Sequence, residues 1–177
     1  ATQLQQMKDD LQSLIGPQDH WKHIGHGGQL DTADGRKIEL SGCVNRQEAE
    51  KYRGRAHDAK FYDELPQFSE EVYRFVSAWN RTADPNQRCR IIGTGNPPSK
   101  PEEEWIIRYW APWLDSQHNN PAEPCELRWF AAIDGKDVEV ESGKPFKHGK
   151  ETIQPRSRTF IPAKLDDNPI LEASGYR

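Results

Sequence analysis

Asp63 and Glu64 stand side by side at the end of a short run, Lys60-Phe61-Tyr62. A second run, Ile91-Ile92-Gly93, ends in Thr94-Gly95-Asn96-Pro97-Pro98. Adjacent carboxylates in a continuing strand face opposite ways, but at a strand's carboxyl end the chain turns and both can enter the crevice where ligands bind. One carboxylate can then hold magnesium, directly or through water, while the other orients and deprotonates an attacking water. A neutral Asn amide nearby can hydrogen-bond a phosphoryl group or the lytic water, and Gly95 frees the backbone for an unusual turn. Alone, each motif also reads as something plainer, an acidic loop start or a cluster of turn formers. Their order, strand then helix then strand, gives the pair its meaning.

Nucleotide-hydrolysing P-loop enzymes place a magnesium-holding Asp, a water-activating Glu and a γ-phosphate-sensing Asn at the ends of neighbouring strands. On that pattern Asp63 binds the metal, Glu64 is the base, and Thr94 and Asn96 meet the γ-phosphate. Arg53 and Arg55, on the approach to the first strand, are candidates for an arginine finger or else solvated surface groups. The chain nevertheless contains no G-x-x-x-x-G-K-[ST]. Ser142-Gly143-Lys144-Pro145 lacks the first Gly at the required spacing, and Pro follows its Lys. The residues describe one half of a phosphoryl-transfer site.

The elements that must hold these groups follow from periodicity. Leu4, Met7, Leu11, Leu14 and Ile15 predict a helix over 2–15 that Gly16-Pro17 ends, and Lys37–Gly42 alternates as a strand. A helix is expected over Arg46–Tyr52 and a strand over Ala59–Tyr62. Ser69 caps a helix whose apolar face is Val72, Phe75, Val76 and Trp79. Cys89–Gly93 is the next strand, and one helix is expected from Glu102 to Leu114. Leu127–Ile133 and Val138–Val140 form a hairpin about Asp134-Gly135, and Thr159–Ile161 is a last short strand. The expected class is α/β, with a mainly parallel sheet and an antiparallel appendage.

Composition narrows the rest. The 177 residues suit one domain, but 34% hydrophobic and 29% charged residues are polar for a complete globular unit. Six Trp argue against general disorder, and a net charge of −4 gives no global attraction to nucleic acid or membrane. Cys43, Cys89 and Cys125 are odd in number and widely spaced, which suits free thiols in a reducing compartment. No apolar run is long enough to span a bilayer. The opening Ala1-Thr2-Gln3-Leu4 reads as a helix entered part-way, so a fragment of a longer chain is expected.

Other clusters take plainer readings. His20, His23 and His26 lie among Gly25, Gly27 and Gly28 and read as a polar turn rather than a metal site. Trp105, Trp110, Trp113 and Trp129 read as core packing rather than base-stacking platforms. Lys144, Lys147, Lys150, Arg156 and Arg158, opposed only by Glu151, read as a solvated loop or as a stripe that meets DNA phosphates.

Three stretches together resemble the large subunit of tailed-bacteriophage terminases, the motor that packages DNA into procapsids. They are Tyr52-Arg53-Gly54-Arg55-Ala56-His57-Asp58 leading into Phe61-Tyr62-Asp63-Glu64, then Gly93-Thr94-Gly95-Asn96-Pro97-Pro98, then Ser157-Arg158-Thr159-Phe160-Ile161-Pro162-Ala163-Lys164-Leu165-Asp166-Asp167-Asn168-Pro169. The resemblance spans Leu4 to Arg177. It implies that residues 1–177 are the later part of a RecA-like ATPase domain. Asp63 and Glu64 would be its Walker B pair, and Thr94, Gly95 and Asn96 its coupling motif, with Asp63 and Gly95 at the bound cofactor. The phosphate-binding loop would lie upstream and a nuclease domain downstream.

The same resemblance implies ATP and Mg2+ in the intact parent and none in the isolated chain. It implies double-stranded DNA, a portal protein and a small terminase subunit as partners, homo-oligomerisation, and the cytoplasm of an infected or lysogenic bacterium. Two other readings are carried with it. One is a metal-dependent nuclease using Asp58, Asp63 and Glu64. The other is a non-catalytic module that docks a motor ring or portal.

Overall fold

The computed structural model describes residues 2–15, 21–22, 28–32, 35–43, 45–164 and 167–168. Two compact units divide the chain, Ala1–Gly95 and Asn96–Arg177. Both are mixed in secondary structure, and their sheets are small, some antiparallel and one parallel.

The first unit opens with helix α1, Thr2–Ile15, as the periodicity predicts. Strands β1 (Trp21–Lys22), β2 (Gly28–Asp31) and β3 (Lys37–Leu40) form an antiparallel sheet in that order, burying Leu30 and Leu40. This departs from the mainly parallel sheet expected here. The connection from β2 to β3 closes with Thr32 N–H on the Arg36 carbonyl at 2.8 Å, and a link that short permits only a hairpin. Helix α2 (Arg46–Ala49) is capped by the Asn45 side chain, which accepts from Glu48 N–H, and continues as a 3-10 turn over Glu50–Tyr52.

Strand β4, Ala59–Tyr62, then pairs in parallel with β5, Arg90–Gly93, across helix α3, Glu70–Ser77. It is the one parallel pair of strands among the described residues, and an isolated parallel bridge joins His57 and Asn80 beside it. Ser69 Oγ accepts from Val72 N–H at the start of α3, and Val72, Tyr73 and Val76 form its buried face. Tyr62 joins them, its ring 5.2 Å from Tyr73 and 5.4 Å from Phe68. Alternation along β4 buries Lys60 and Tyr62 and leaves Ala59 and Phe61 outside.

In the second unit the single helix expected from Glu102 to Leu114 is broken. A 3-10 turn (Pro101–Glu103) leads into α4 (Glu104–Tyr109), and α5 (Ala111–Leu114) follows after Trp110 leaves helical geometry at φ −111°, ψ 33°. Pro112 has no N–H to continue the ladder, which accounts for the break. The buried Glu103 carboxylate accepts from Ser99 N–H at 2.7 Å and Lys100 N–H at 3.2 Å. Those backbone bonds, Ser99's first, hold it below the usual carboxylate range.

The expected hairpin is present as β6 (Arg128–Ile133) and β7 (Lys136–Val140), turning at Asp134 and Gly135 with positive φ at both. A second hairpin, β8 (Phe146–His148) and β9 (Glu151–Ile153), occupies a stretch expected to be loop. The last strand, β10, is Arg156–Arg158 rather than Thr159–Ile161, and the sheet order is β10-β6-β7. The Thr159 and Phe160 carbonyls are taken instead by Trp110 Nε1–H at 3.1 Å and Cys125 N–H at 2.9 Å. Arg158 pins the unit together. It donates to Tyr109 O at 2.5 Å and Asp137 Oδ2 at 2.7 Å while stacking on the Tyr109 and Phe130 rings at 3.5 and 3.9 Å. Trp105 is buried in the core, while Trp113 is half-buried, its ring 6.3 Å from Phe130 and its Nε1–H donating to Glu123 O at 3.1 Å.

Candidate functional site

The parallel register ends β4 and β5 together, Tyr62 opposite Gly93, so the two motifs leave the sheet at the same edge. The ladder continues one step past the strands. Thr94 N–H donates to Tyr62 O at 2.9 Å, and Leu65 N–H donates to Thr94 O at 2.7 Å. Thr94 Oγ1 also donates to Asp63 Oδ1 at 3.2 Å. Sequence reasoning placed Asp63 and Thr94 in one site from strand order alone, and the fold brings them into contact.

Glu64 adopts the left-handed conformation, φ 51° and ψ 54°. A side chain there costs about 1–2 kcal/mol, so the surrounding turn must enforce it. The kink breaks the strand alternation that would send two adjacent carboxylates to opposite faces. Leu65, 5% exposed, anchors the turn, and Pro66 sits in the 3-10 segment Leu65–Gln67.

Two glycines let β5 and its turn approach that anchor. A Cβ on Gly93 would lie 2.5 Å from Leu65 Cδ2, and one on Gly95 would lie 2.5 Å from Pro66 Cδ. Gly95 was read as a source of backbone freedom, and its φ of 156° supports that while the close approach adds a second reason. Gly93 was missed, and so was the part Leu65-Pro66 plays. Only the pairing of the strands shows which residues a glycine must make room for.

Asp63 and Thr94 are exposed and Glu64 is half-buried. Carboxylate and hydroxyl oxygens are the hard donors magnesium prefers, and magnesium in phosphoryl-transfer sites takes only one or two protein carboxylates beside phosphate and water. The donor set therefore fits that ion. Asn96, also exposed, is the first residue of the second unit.

The remaining candidates lie away from this edge. Asp58 precedes β4, and its carbonyl accepts from Arg90 N–H at 2.9 Å, which puts it at the opposite end of the strand pair. Five residues of strand separate it from Asp63 by about 16 Å. Among the described residues, no three His, Cys, Asp or Glu side chains are grouped to hold a metal. Arg53 is bound to Glu50 at 2.5 Å, and with Arg46 on the same carboxylate it holds Glu50 down to about 2. Arg55 pairs with Glu39 at 2.6 Å, beside His57 on the second Glu39 oxygen at 3.2 Å. His20, His23 and His26 lie outside the described residues.

At the amino end of the pair Asn80 and Lys60 are buried, while Asp58, Ala59 and Arg90 are exposed. Asn80, 3% exposed, directs its amide to His57 O, Asp58 O and Arg90 O at 3.0–3.1 Å. Lys60 is buried above it, near His57 Nδ1 at 3.3 Å. Burial pushes the Lys60 pKa down, with Glu39 opposing and Arg55 adding to the effect. The outward face of the strands carries Phe61 opposite Ile92, 72% and 46% exposed.

No family model matches this chain, and no curated protein or solved structure matches it. No helix among the described residues is long and apolar enough to cross a membrane.

Proposed function

We propose that Asp63, Glu64 and Thr94 form the hydrolytic edge of an ATPase site, and that the chain is part of a DNA-packaging motor of the terminase large-subunit kind. The observation that carries the reading is the Thr94–Asp63 hydrogen bond at 3.2 Å at the shared carboxyl end of a parallel strand pair. Ligands of open α/β sheets bind at that end. A RecA-like core, with the phosphate cradle supplied by polypeptide outside these 177 residues, belongs to this proposal.

In the proposed reaction Asp63 would hold Mg2+, which would supply charge neutralisation to the phosphates. Glu64 accepts a proton from the attacking water as its oxygen bonds to the γ-phosphorus and ADP departs. Thr94 keeps Asp63 oriented, and Asn96 senses the γ-phosphate. Arg53 and Arg55 reach it as fingers only by leaving Glu50 and Glu39. The intact parent would act on double-stranded DNA with a portal protein and a small subunit.

The test is magnesium-dependent ATP hydrolysis by a protein extended to include the phosphate-binding loop, with and without Glu64→Gln. Loss of a general base predicts a drop in kcat of about 100- to 10,000-fold. Hydrolysis that survives Glu64→Gln would remove the pair from the chemistry. The exposed Phe61–Ile92 face favours a second reading, a docking module. Under it, alanine at Asp63 and Glu64 leaves partner binding and parent activity intact.

A further inference from the structure

The stretch from Lys144 to Arg156 is folded, and it gathers four exposed cations within thirteen residues. Lys147 lies in β8 opposite Thr152, Lys150 occupies the turn between β8 and β9, Lys144 precedes the hairpin, and Arg156 lies in edge strand β10. All four are exposed. Among the described residues none of them has a carboxylate partner. The chain is not short of such partners. Arg46, Arg53, Arg55, Arg74, Arg128 and Arg158 each hold one. Arg158, counted with this basic stripe from sequence, is buried in the sheet and takes no part in it.

The hairpin is also held in place. Gln154 Nε2–H donates to Gly143 O at 2.9 Å across its base. Gly143 lies so close to the Trp129 ring that no Cβ would fit, which fastens the base to β6. Gly149, at φ 59°, supplies the left-handed first position of the tight turn that lifts Lys150. Phe146 and Ile153 face each other on one side of the ladder, half-buried, while Lys147 and Thr152 occupy the other. Opposing charges are Glu151 within the hairpin, exposed Glu141 before it, and Asp134 within 3.3 Å of His148.

We propose that the β8–β9 hairpin, with Lys144, Lys147, Lys150 and Arg156, is a phosphate-backbone contact for duplex nucleic acid. Lysines without carboxylate partners on a folded hairpin give a sequence-independent electrostatic grip, since lysine meets phosphate as a point charge. The choice of a duplex over other polyanions rests on the motor reading. The charge argument does not. The net charge of −4 gives no global attraction to a polyanion, so binding must come from local cations.

The experiment is fluorescence anisotropy of a labelled short DNA duplex with the full 177-residue chain and no nucleotide, from about 50 mM to about 200 mM salt. Failure of the ATPase reading leaves this measurement untouched. Four phosphate contacts predict a log–log salt slope of about −3.6. Lys144→Glu/Lys147→Glu/Lys150→Glu should weaken binding at least ~10-fold at low salt and bring the slope near about −0.9. Lys150→Glu alone, in an open turn, should weaken it measurably without a folding question. Lys37→Glu/Arg88→Glu in the first unit should leave it unchanged. Tighter binding to single strands than to duplex would overturn the duplex assignment. Absence of saturable binding, an unchanged slope in the triple variant, or equal affinity for polyglutamate would overturn the proposal.

Discussion

The two ends of the β4–β5 pair are built from the same four-residue strands and treated in opposite ways. At the amino end, one buried amide from Asn80 serves three backbone carbonyls, and Glu39 binds both Arg55 and His57. At the carboxyl end, Asp63 is exposed, Glu64 is held in a strained conformation, and the nearby hydroxyl of Thr94 is directed to Asp63. Polar groups that complete the fold are buried among partners that satisfy them. Polar groups kept near solvent at the cost of backbone strain are the ones available for chemistry. The contrast separates a structural end from a working end within a single strand pair.

Removing Asn80 gives the largest effect the comparison predicts. Asn80→Ala removes the buried amide that the His57, Asp58 and Arg90 carbonyls share, though His57 O and Asp58 O keep backbone donors from Arg81 and Arg90. At about 1 kcal/mol for each of the three hydrogen bonds lost, unfolding in urea should show a loss of about 3 kcal/mol. The site residues sit at the other end, so the parent's hydrolysis per folded molecule should be unchanged. A loss below about 0.5 kcal/mol would mean that the amide is not a clamp, and the structural end would lose its definition.

Gly95→Ala carries the comparison to the working end. The added methyl meets the stiff Pro66 ring at 2.5 Å, so the turn must shift, at about 1–2 kcal/mol. Because Leu65-Pro66 directly follows Glu64, that shift should displace the carboxylate and lower kcat in the hydrolysing protein. Equal activity with reduced stability would show that Glu64 is insensitive to the turn that strains it.

What could be read from the sequence follows this division as well. Local signals were legible. The cap at Ser69, the alternation of β4 and the Asp134-Gly135 turn each depend on neighbours in the chain. The adjacency of Asp63 and Thr94 was legible too, because a strand–helix–strand unit with parallel strands brings their carboxyl ends together. Contacts set by distant residues were not legible. Nothing near Asn80 announces three carbonyl partners, Arg158 looks like one more surface cation until Tyr109 and Phe130 enclose it, and Gly93 gains its meaning only from Leu65. In the antiparallel β1–β3 sheet β3 was expected from its alternation, but β1 and β2 were missed because they are short and lie in or beside a Gly- and His-rich stretch with no period-2 pattern.

The smallest expected effect is the most discriminating. Asp63→Asn keeps an oxygen acceptor for Thr94 Oγ1–H and removes a charge that stands exposed. Its cost to folding should lie within about 0.5 kcal/mol in the same urea titration. If Asp63 is there to hold magnesium, the change should instead appear as a higher magnesium requirement and a fall in hydrolysis by the extended protein, the Asn oxygen being a weaker ligand than a carboxylate. A stability loss near that of Asn80→Ala would make Asp63 a structural residue. It would then belong with the structural end, and the Thr94 hydrogen bond would be a strut rather than an orienting contact.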